Sequence, residues 1–183
     1  MSSLYLGKPS ICLTGFMFTG KSSVGRSLAG RLGLNFIDLD EKITGLARAS
    51  VETIFAERGE MEFRRLEREA VASVFPVAGQ VIATGGGVVI DPDNRQLLRR
   101  HSCVIWLKAS VKTILSHFQA SCGKPRPLLS VADPEAEIAR LLAEREPFYR
   151  HCDFSVETDG LTVGKVSQGI IEKVSRSRSG EEI

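Results

Sequence analysis

Short apolar runs alternate along this chain with stretches in which apolar residues return every three or four positions. Five runs read as strands: 10–14, 35–38, 80–84, 103–107 and 154–156. Ser10-Ile11-Cys12-Leu13-Thr14, Gln80-Val81-Ile82-Ala83-Thr84 and Cys103-Val104-Ile105-Trp106-Leu107 are apolar almost throughout, the pattern of strands covered on both faces. Helical spacing links Val24, Leu28 and Leu32; then Phe63, Leu66, Ala70 and Val74; then Val111, Ile114, Leu115 and Phe118. It returns in Ile138, Leu141 and Leu142, and in Val163, Val166, Ile170 and Val174. Gly33 stops the first helix, Gly59 interrupts a helical stretch over 41–75, and Asp91-Pro92 opens a helix carrying Leu97 and Leu98. Strands alternating with helices predict an α/β fold with a parallel sheet flanked by helices.

Two stretches leave the pattern. Residues 121–130, with two prolines and a glycine, forbid a regular helix, and Lys124 and Arg126 make this segment basic. The tail, about 176–183, has no apolar period and is expected to fray. No repeat or linker divides the chain, and 183 residues suit one domain, 1–183, with a full core.

The strongest chemical signal follows the first strand. Gly15-Phe16-Met17-Phe18-Thr19-Gly20-Lys21-Ser22 fits G-x-x-x-x-G-K-[S/T], between a strand and a helix, the context that makes this pattern a phosphate loop. Gly20 lets backbone approach phosphate oxygens without a Cβ in the way. Loop N–H groups and the helix N-terminus form an anion cradle, Lys21 reaches the β- and γ-phosphates, and the Ser22 hydroxyl is placed to ligate Mg²⁺. A plain glycine turn capping a helix is the bland alternative; the bare pattern arises by chance in such a length about once in a hundred or less.

Other candidates gather downstream. Asp38 and Asp40, at the end of the second strand, would share one face if extended and look into the ligand crevice. One could hold Mg²⁺ through water and the other accept a hydrogen bond from a hydroxyl; the alternative is Asp40 as a helix N-cap. Glu67, three residues after Arg64, can position it, although a surface ion pair is the plainer reading. Gly85-Gly86-Gly87 at a strand end suggests close approach of backbone to something. The basic loop with Arg126 is a natural lid over phosphates.

Composition narrows the partners. Hydrophobic residues are 43% and charged residues 25%, with a net charge of +2, so neither nucleic acid nor a membrane surface is called for. No apolar run approaches the roughly 20 residues of a membrane-spanning helix, and Met1–Lys8 lacks signal-peptide character, so a cytoplasmic location is expected. Cys12, Cys103, Cys122 and Cys152 show no C-x-x-C spacing; Cys12 and Cys103 read as buried thiols. His101, His117 and His151 make no metal pattern.

Taken together, these motifs resemble shikimate kinase over about residues 10–175. The resemblance rests on Gly20-Lys21-Ser22, Asp38-Leu39-Asp40, Gly59-Glu60 with Phe63-Arg64 and Glu67, Thr84-Gly85-Gly86-Gly87, Arg126-Pro127-Leu128-Leu129 and Arg145-Glu146-Pro147-Phe148-Tyr149, in order. It implies a P-loop fold of the nucleoside-monophosphate-kinase type: five parallel strands in the order 2-3-1-4-5, a substrate-binding helical insertion at about 40–75 and a lid at about 120–131. The implied reaction moves the γ-phosphate of ATP to the 3-hydroxyl of shikimate, a step toward aromatic amino acids. By resemblance, Phe18, Thr19, Gly20, Lys21, Ser22, Ser23 and Arg126 contact ATP, and Ser22 and Asp38 serve Mg²⁺. Asp40 meets the reacting hydroxyl and is the candidate base. Arg64 and Arg145 take the shikimate carboxylate, and Gly85, Gly86 and Gly87 approach the substrate through backbone. Lys21, Asp40 and Arg126 form the catalytic set. The expected partners are ATP and shikimate alone, with the chain a monomer.

The chain departs from the family pattern at two places. Phe18 stands where the family often has glycine, and a side chain there disfavours φ > 0. Ser23 replaces a frequent threonine, a minor change. Residues after Val156 match poorly, so no adenine contact is assigned. Two other functions remain to be separated: another small-molecule kinase of this fold, such as a gluconate kinase, and a nucleotide-dependent switch. Arg64, Gly85–Gly87 and Arg145 suit a carboxylated polyol ring, and no N-K-x-D base-reading motif is present.

Overall fold

The computed structural model describes residues 5–75, 77–121, 129 and 131–176. Five strands, β1 (Ser10–Thr14), β2 (Asn35–Asp38), β3 (Gln80–Ala83), β4 (Ser102–Lys108) and β5 (Phe154–Glu157), form one parallel sheet in the order β2-β3-β1-β4-β5. Each expected strand is present, with ends shifted by a residue at most. The helices are α1 (Lys21–Leu32), α2 (Leu39–Ala47), α3 (Val51–Val74), α4 (Pro92–His101), α5 (Val111–Ala120), α6 (Pro134–Tyr149) and α7 (Val163–Arg176).

Both sheet faces are covered, which is why the central strands read as unbroken apolar runs. Ile11, Leu13, Val81, Cys103 and Ile105 pack against Val24 and Leu28 of α1 and Val166 and Ile170 of α7. Their sequence neighbours Cys12, Ile82, Val104 and Trp106 face the other way, into a larger core with Ile43, Ile54, Leu66, Leu98, Ile114 and Ile138. Cys12 and Cys103 are buried, and burial pushes both thiols up, Cys103 to about 12. Gly25 lets α1 press onto β2, since a Cβ there would collide with the Phe36 ring.

The central strand β1 has β3 on one side and β4 on the other, and the chain changes direction across the sheet here. A crevice opens beyond the carboxyl ends of the strands at such a point. The phosphate loop leaves β1 directly into it.

Two readings change. The chain does not continue as a strand through Asp40: β2 ends at Asp38, whose Oδ1 accepts from the Asp40 N–H at 3.0 Å and so caps α2. Asp40 therefore lies in the first turn of a helix, and the N-cap is Asp38. The interruption expected at Gly59 is present, with φ 78 and ψ 173 inside α3 and helix on either side. Helical structure also runs through Arg176, one residue into the expected tail. Cys122, Lys124, Arg126, most of the expected lid and residues 177–183 lie outside the described residues.

Candidate active site

The phosphate loop is shaped by its own carbonyls. The Lys21 ammonium donates to the Gly15 oxygen at 2.9 Å and the Phe16 oxygen at 2.7 Å. The Thr19 hydroxyl turns inward to the Phe16 oxygen at 2.9 Å. Gly20 takes φ 86, open to glycine at no steric cost, and Phe18 takes φ 63 despite its Cβ, a strain on the order of 1 kcal/mol. A side chain at position 18 thus does not prevent the left-handed apex.

The start of α1 differs from that of the other helices. Side chains of Asp38, Ser50, Asp91, Ser110 and Asp133 cap α2, α3, α4, α5 and α6. At α1, Gly20 supplies no side-chain cap, and the first turn holds no acidic residue. Its amide groups and the positive end of its dipole are left to an anion.

The cleft above this loop has a volume of about 450 Å³. Phe18, Gly20, Lys21, Ser22, Ser23, Asp38, Asp40, Arg64, Gly85, Gly86, Gly87 and Arg145 all line it, although they come from five parts of the chain. On the phosphate side, the Ser22 hydroxyl donates to Asp38 Oδ2 at 2.6 Å. This pair of hard oxygen donors beside an anion cradle suits Mg²⁺, which keeps several waters and takes further oxygens from phosphates. Among the described residues no group of three or more His, Cys, Asp or Glu could hold a metal by itself.

The opposite side is built around Arg64. Its Nη1 donates to Glu67 at 2.9 Å, while Nε and Nη2 reach Glu60 at 3.3 and 3.2 Å. Glu67 is only 2% exposed, so this is not a surface ion pair. Burial pushes the Glu67 carboxyl up and Arg64 opposes that push; burial works against the Arg64 charge, but Glu67 and Glu60 outweigh it. The guanidinium is held charged and aimed. Arg145, almost fully buried on α6, lies over the Phe16 ring at 5.6 Å.

The glycine triplet explains how these groups come together. A Cβ on Gly85 would fall 2.6 Å from Asp40 Oδ1, and one on Gly87 would fall 2.7 Å from Arg64 Nη1. A Cβ on Gly86 would crowd the Met17 N–H at 3.2 Å. The close approach expected of this backbone is therefore made to the chain's own carboxylate, guanidinium and phosphate loop. The Tyr149 hydroxyl donates to the Gly86 oxygen at 2.6 Å, and its ring stacks on Trp106 at 5.8 Å. Burial raises this phenol to about 12, so it stays a donor.

Sequence reasoning assigned no role to Tyr149, nor to Phe55 and Phe63. Those two rings meet at 4.6 Å across the Gly59 interruption and give the cleft an apolar wall. Val51, Ile54 and Phe55 form one apolar helical turn and Phe63 begins the next stripe, a spacing that reads as ordinary core. The break at Gly59 between them was the available signal.

The family model described as "Shikimate kinase" matches residues 17–175. The shikimate kinase of Caldanaerobacter subterraneus subsp. tengcongensis is 45% identical over 162 residues, covering 88% of this chain and 94% of that one. Among solved structures, a shikimate kinase from Acinetobacter baumannii in complex with shikimate has a TM-score of 0.89 at 32% identity, covering 95% of this chain and 97% of that one. A gluconokinase from Sinorhizobium meliloti, covering 93% and 94%, reaches a TM-score of 0.56 at 13% identity, a likeness of fold alone.

Proposed function

The chain belongs to the shikimate kinase family, and we propose that its cleft divides into a phosphate half and an acceptor half that meet at Asp40. The reaction is transfer of the ATP γ-phosphate to the 3-hydroxyl of shikimate, giving shikimate 3-phosphate and ADP. The observation that carries the division is the convergence on one cleft of the uncapped α1 N-terminus with Lys21 and of Arg64, Arg145 and Gly85–Gly87. An anion cradle facing a cationic, glycine-floored recess suits a triphosphate opposite a small carboxylated polyol.

Phosphoryl transfer asks chiefly for positioning and charge stabilisation. Lys21 and the α1 amides hold the phosphates and stabilise charge on the transferring oxygens. Ser22 and Asp38 hold Mg²⁺, which when bound neutralises phosphate charge. Asp40 accepts or orients the proton of the attacking hydroxyl. Arg64 and Arg145 clamp the acceptor carboxylate, which guanidinium can meet through two parallel hydrogen bonds. Arg126, outside the described residues, is assigned to the phosphates by the family motif in which it stands. Among the described residues no helix is long and apolar enough to cross a membrane; a cytoplasmic monomer remains the proposed state.

The direct test is ADP release from MgATP with shikimate, gluconate and nucleoside monophosphates in parallel. Shikimate alone should stimulate release. Stimulation by gluconate or a nucleotide instead would remove the proposed acceptor.

Two variants probe the acceptor half. Arg64→Lys keeps the charge but loses the fork, and should cost about 10- to 150-fold in shikimate kcat/KM, with ATP affinity hardly changed. A shikimate analogue with an amide for its carboxylate should be a poor substrate, and the mutation should cost it much less. Equal losses on both acceptors would leave Arg64 a structural partner of Glu67.

Gly87→Ala tests the floor. Gly87 has φ −103, which any residue accepts, so backbone strain plays no part. The added methyl would instead displace the Arg64 guanidinium. The protein should stay folded by circular dichroism while shikimate kcat/KM falls roughly 10- to 100-fold, as for misplaced binding groups. Unaltered kinetics would show that Arg64 can act from another position.

A further inference from the structure

Three non-glycine residues have positive φ among the described residues, Leu6, Phe18 and Arg48; of these, Phe18 is the one in the wall of the cleft. A Cβ opposes this conformation, so the surroundings must hold it. Two contacts from α5 do so. The ring of Phe118 lies 5.5 Å from that of Phe18, at 60°. The Nδ1 of His117 lies 2.8 Å from the Phe18 carbonyl oxygen. A carbonyl can only accept, so Nδ1 carries the proton. The other end of α5 is anchored as well, because the Ser110 N–H donates to both Asp159 carboxylate oxygens, at 3.0 and 3.2 Å.

We propose that His117 and Phe118 form a clasp that fixes the apex of the phosphate loop, which makes His117 a positioning residue for the triphosphate of the nucleotide. In a trans peptide the C=O and N–H point in opposite directions. Drawing the Phe18 oxygen toward α5 therefore turns the Thr19 N–H to the inside of the loop. There it makes only a long bond, 3.4 Å, to the Phe16 oxygen. The clasp lets this chain keep a phenylalanine at the apex. It also ties the loop's shape to the helix that leads directly into the basic segment 121–130.

The proposal rests on the nucleotide-loop reading above, and the two are tested separately. The full chain is titrated with MgADP without acceptor, and kcat and KM are measured for MgATP and for shikimate. His117→Ala removes one hydrogen bond and should weaken MgADP and raise the MgATP KM roughly 3- to 10-fold, with the shikimate KM less affected. His117→Asn carries a donor near the Nδ1 position and should recover most of the loss. In a Phe18→Gly background, where the apex needs no support, His117→Ala should have a smaller effect. Unchanged MgADP affinity in folded His117→Ala overturns the clasp. So does a His117→Asn variant as weak as His117→Ala at the same melting temperature. If wild-type protein binds MgADP but shikimate does not stimulate turnover, the acceptor assignment fails and the clasp is judged on the binding data.

Discussion

Lys21→Ala is expected to lower shikimate-dependent turnover by at least about 100-fold, the loss typical when one preorganised charge stabiliser is removed. Lys21 is 8% exposed and its ammonium is held against the loop by the Gly15 and Phe16 carbonyls, so it lies at the phosphate cradle before any nucleotide arrives. Its removal takes away both the charge and two bonds that shape the loop. Hydrogen bonds to charged groups contribute about 1.5–3 kcal/mol each, so the melting temperature should fall as well. Alanine is the best helix former and Lys21 opens α1, so the fold itself should survive. The measurement is ADP release with shikimate present, beside circular dichroism and a melting curve. Turnover within about threefold of wild type, against the much larger loss expected of a charge stabiliser, would remove Lys21 from the mechanism.

The part of the site most legible in the sequence is the part made by local chain. Gly15–Ser22 carries its function within one strand–loop–helix unit, and glycine positions, helical period and spacing all point to it. The sheet was legible for a related reason: parallel strands covered on both faces become unbroken apolar runs, and the runs at 10–14, 80–84 and 103–107 are its centre. Its strand order came from the family resemblance, because periodicity says nothing of which strand lies beside which.

What stayed hidden was one local choice and several contacts with distant partners. Asp38-Leu39-Asp40 can extend a strand or open a helix, and the choice falls to a single cap, Asp38 onto the Asp40 N–H. Arg64 and Glu67 are a helical pair on spacing alone. That Glu67 is buried follows only once α3 lies against the rest of the fold. The glycines at 85–87 announced a close approach, but not that Asp40 and Arg64 would be what they approach. Tyr149 bonds a carbonyl 63 residues away, and no local pattern can show that.

Asp40→Asn is the second large effect, and it separates the two aspartates. Asp40 lies in the first turn of α2 with its carboxylate against Gly85, in the cleft that the phosphate loop and Arg64 also line. Asparagine has nearly the same shape, and the backbone N–H that Asp38 caps is unchanged, so α2 should form as before. An amide can still orient a hydroxyl but is a poor base. Loss of positioned acid–base catalysis costs about 10²- to 10⁴-fold, and kcat should fall within that range. ATP affinity, titrated without shikimate, should hold, because Ser22 and Asp38 stand on the phosphate side and keep their 2.6 Å contact. Asp38→Asn should behave in the opposite way, weakening MgATP as well as turnover, since it disturbs both the Ser22 pair and the α2 cap. If Asp40→Asn lowers ATP binding and turnover to the same extent, its carboxylate serves the metal or the fold, and Asp38 becomes the group to place at the acceptor hydroxyl.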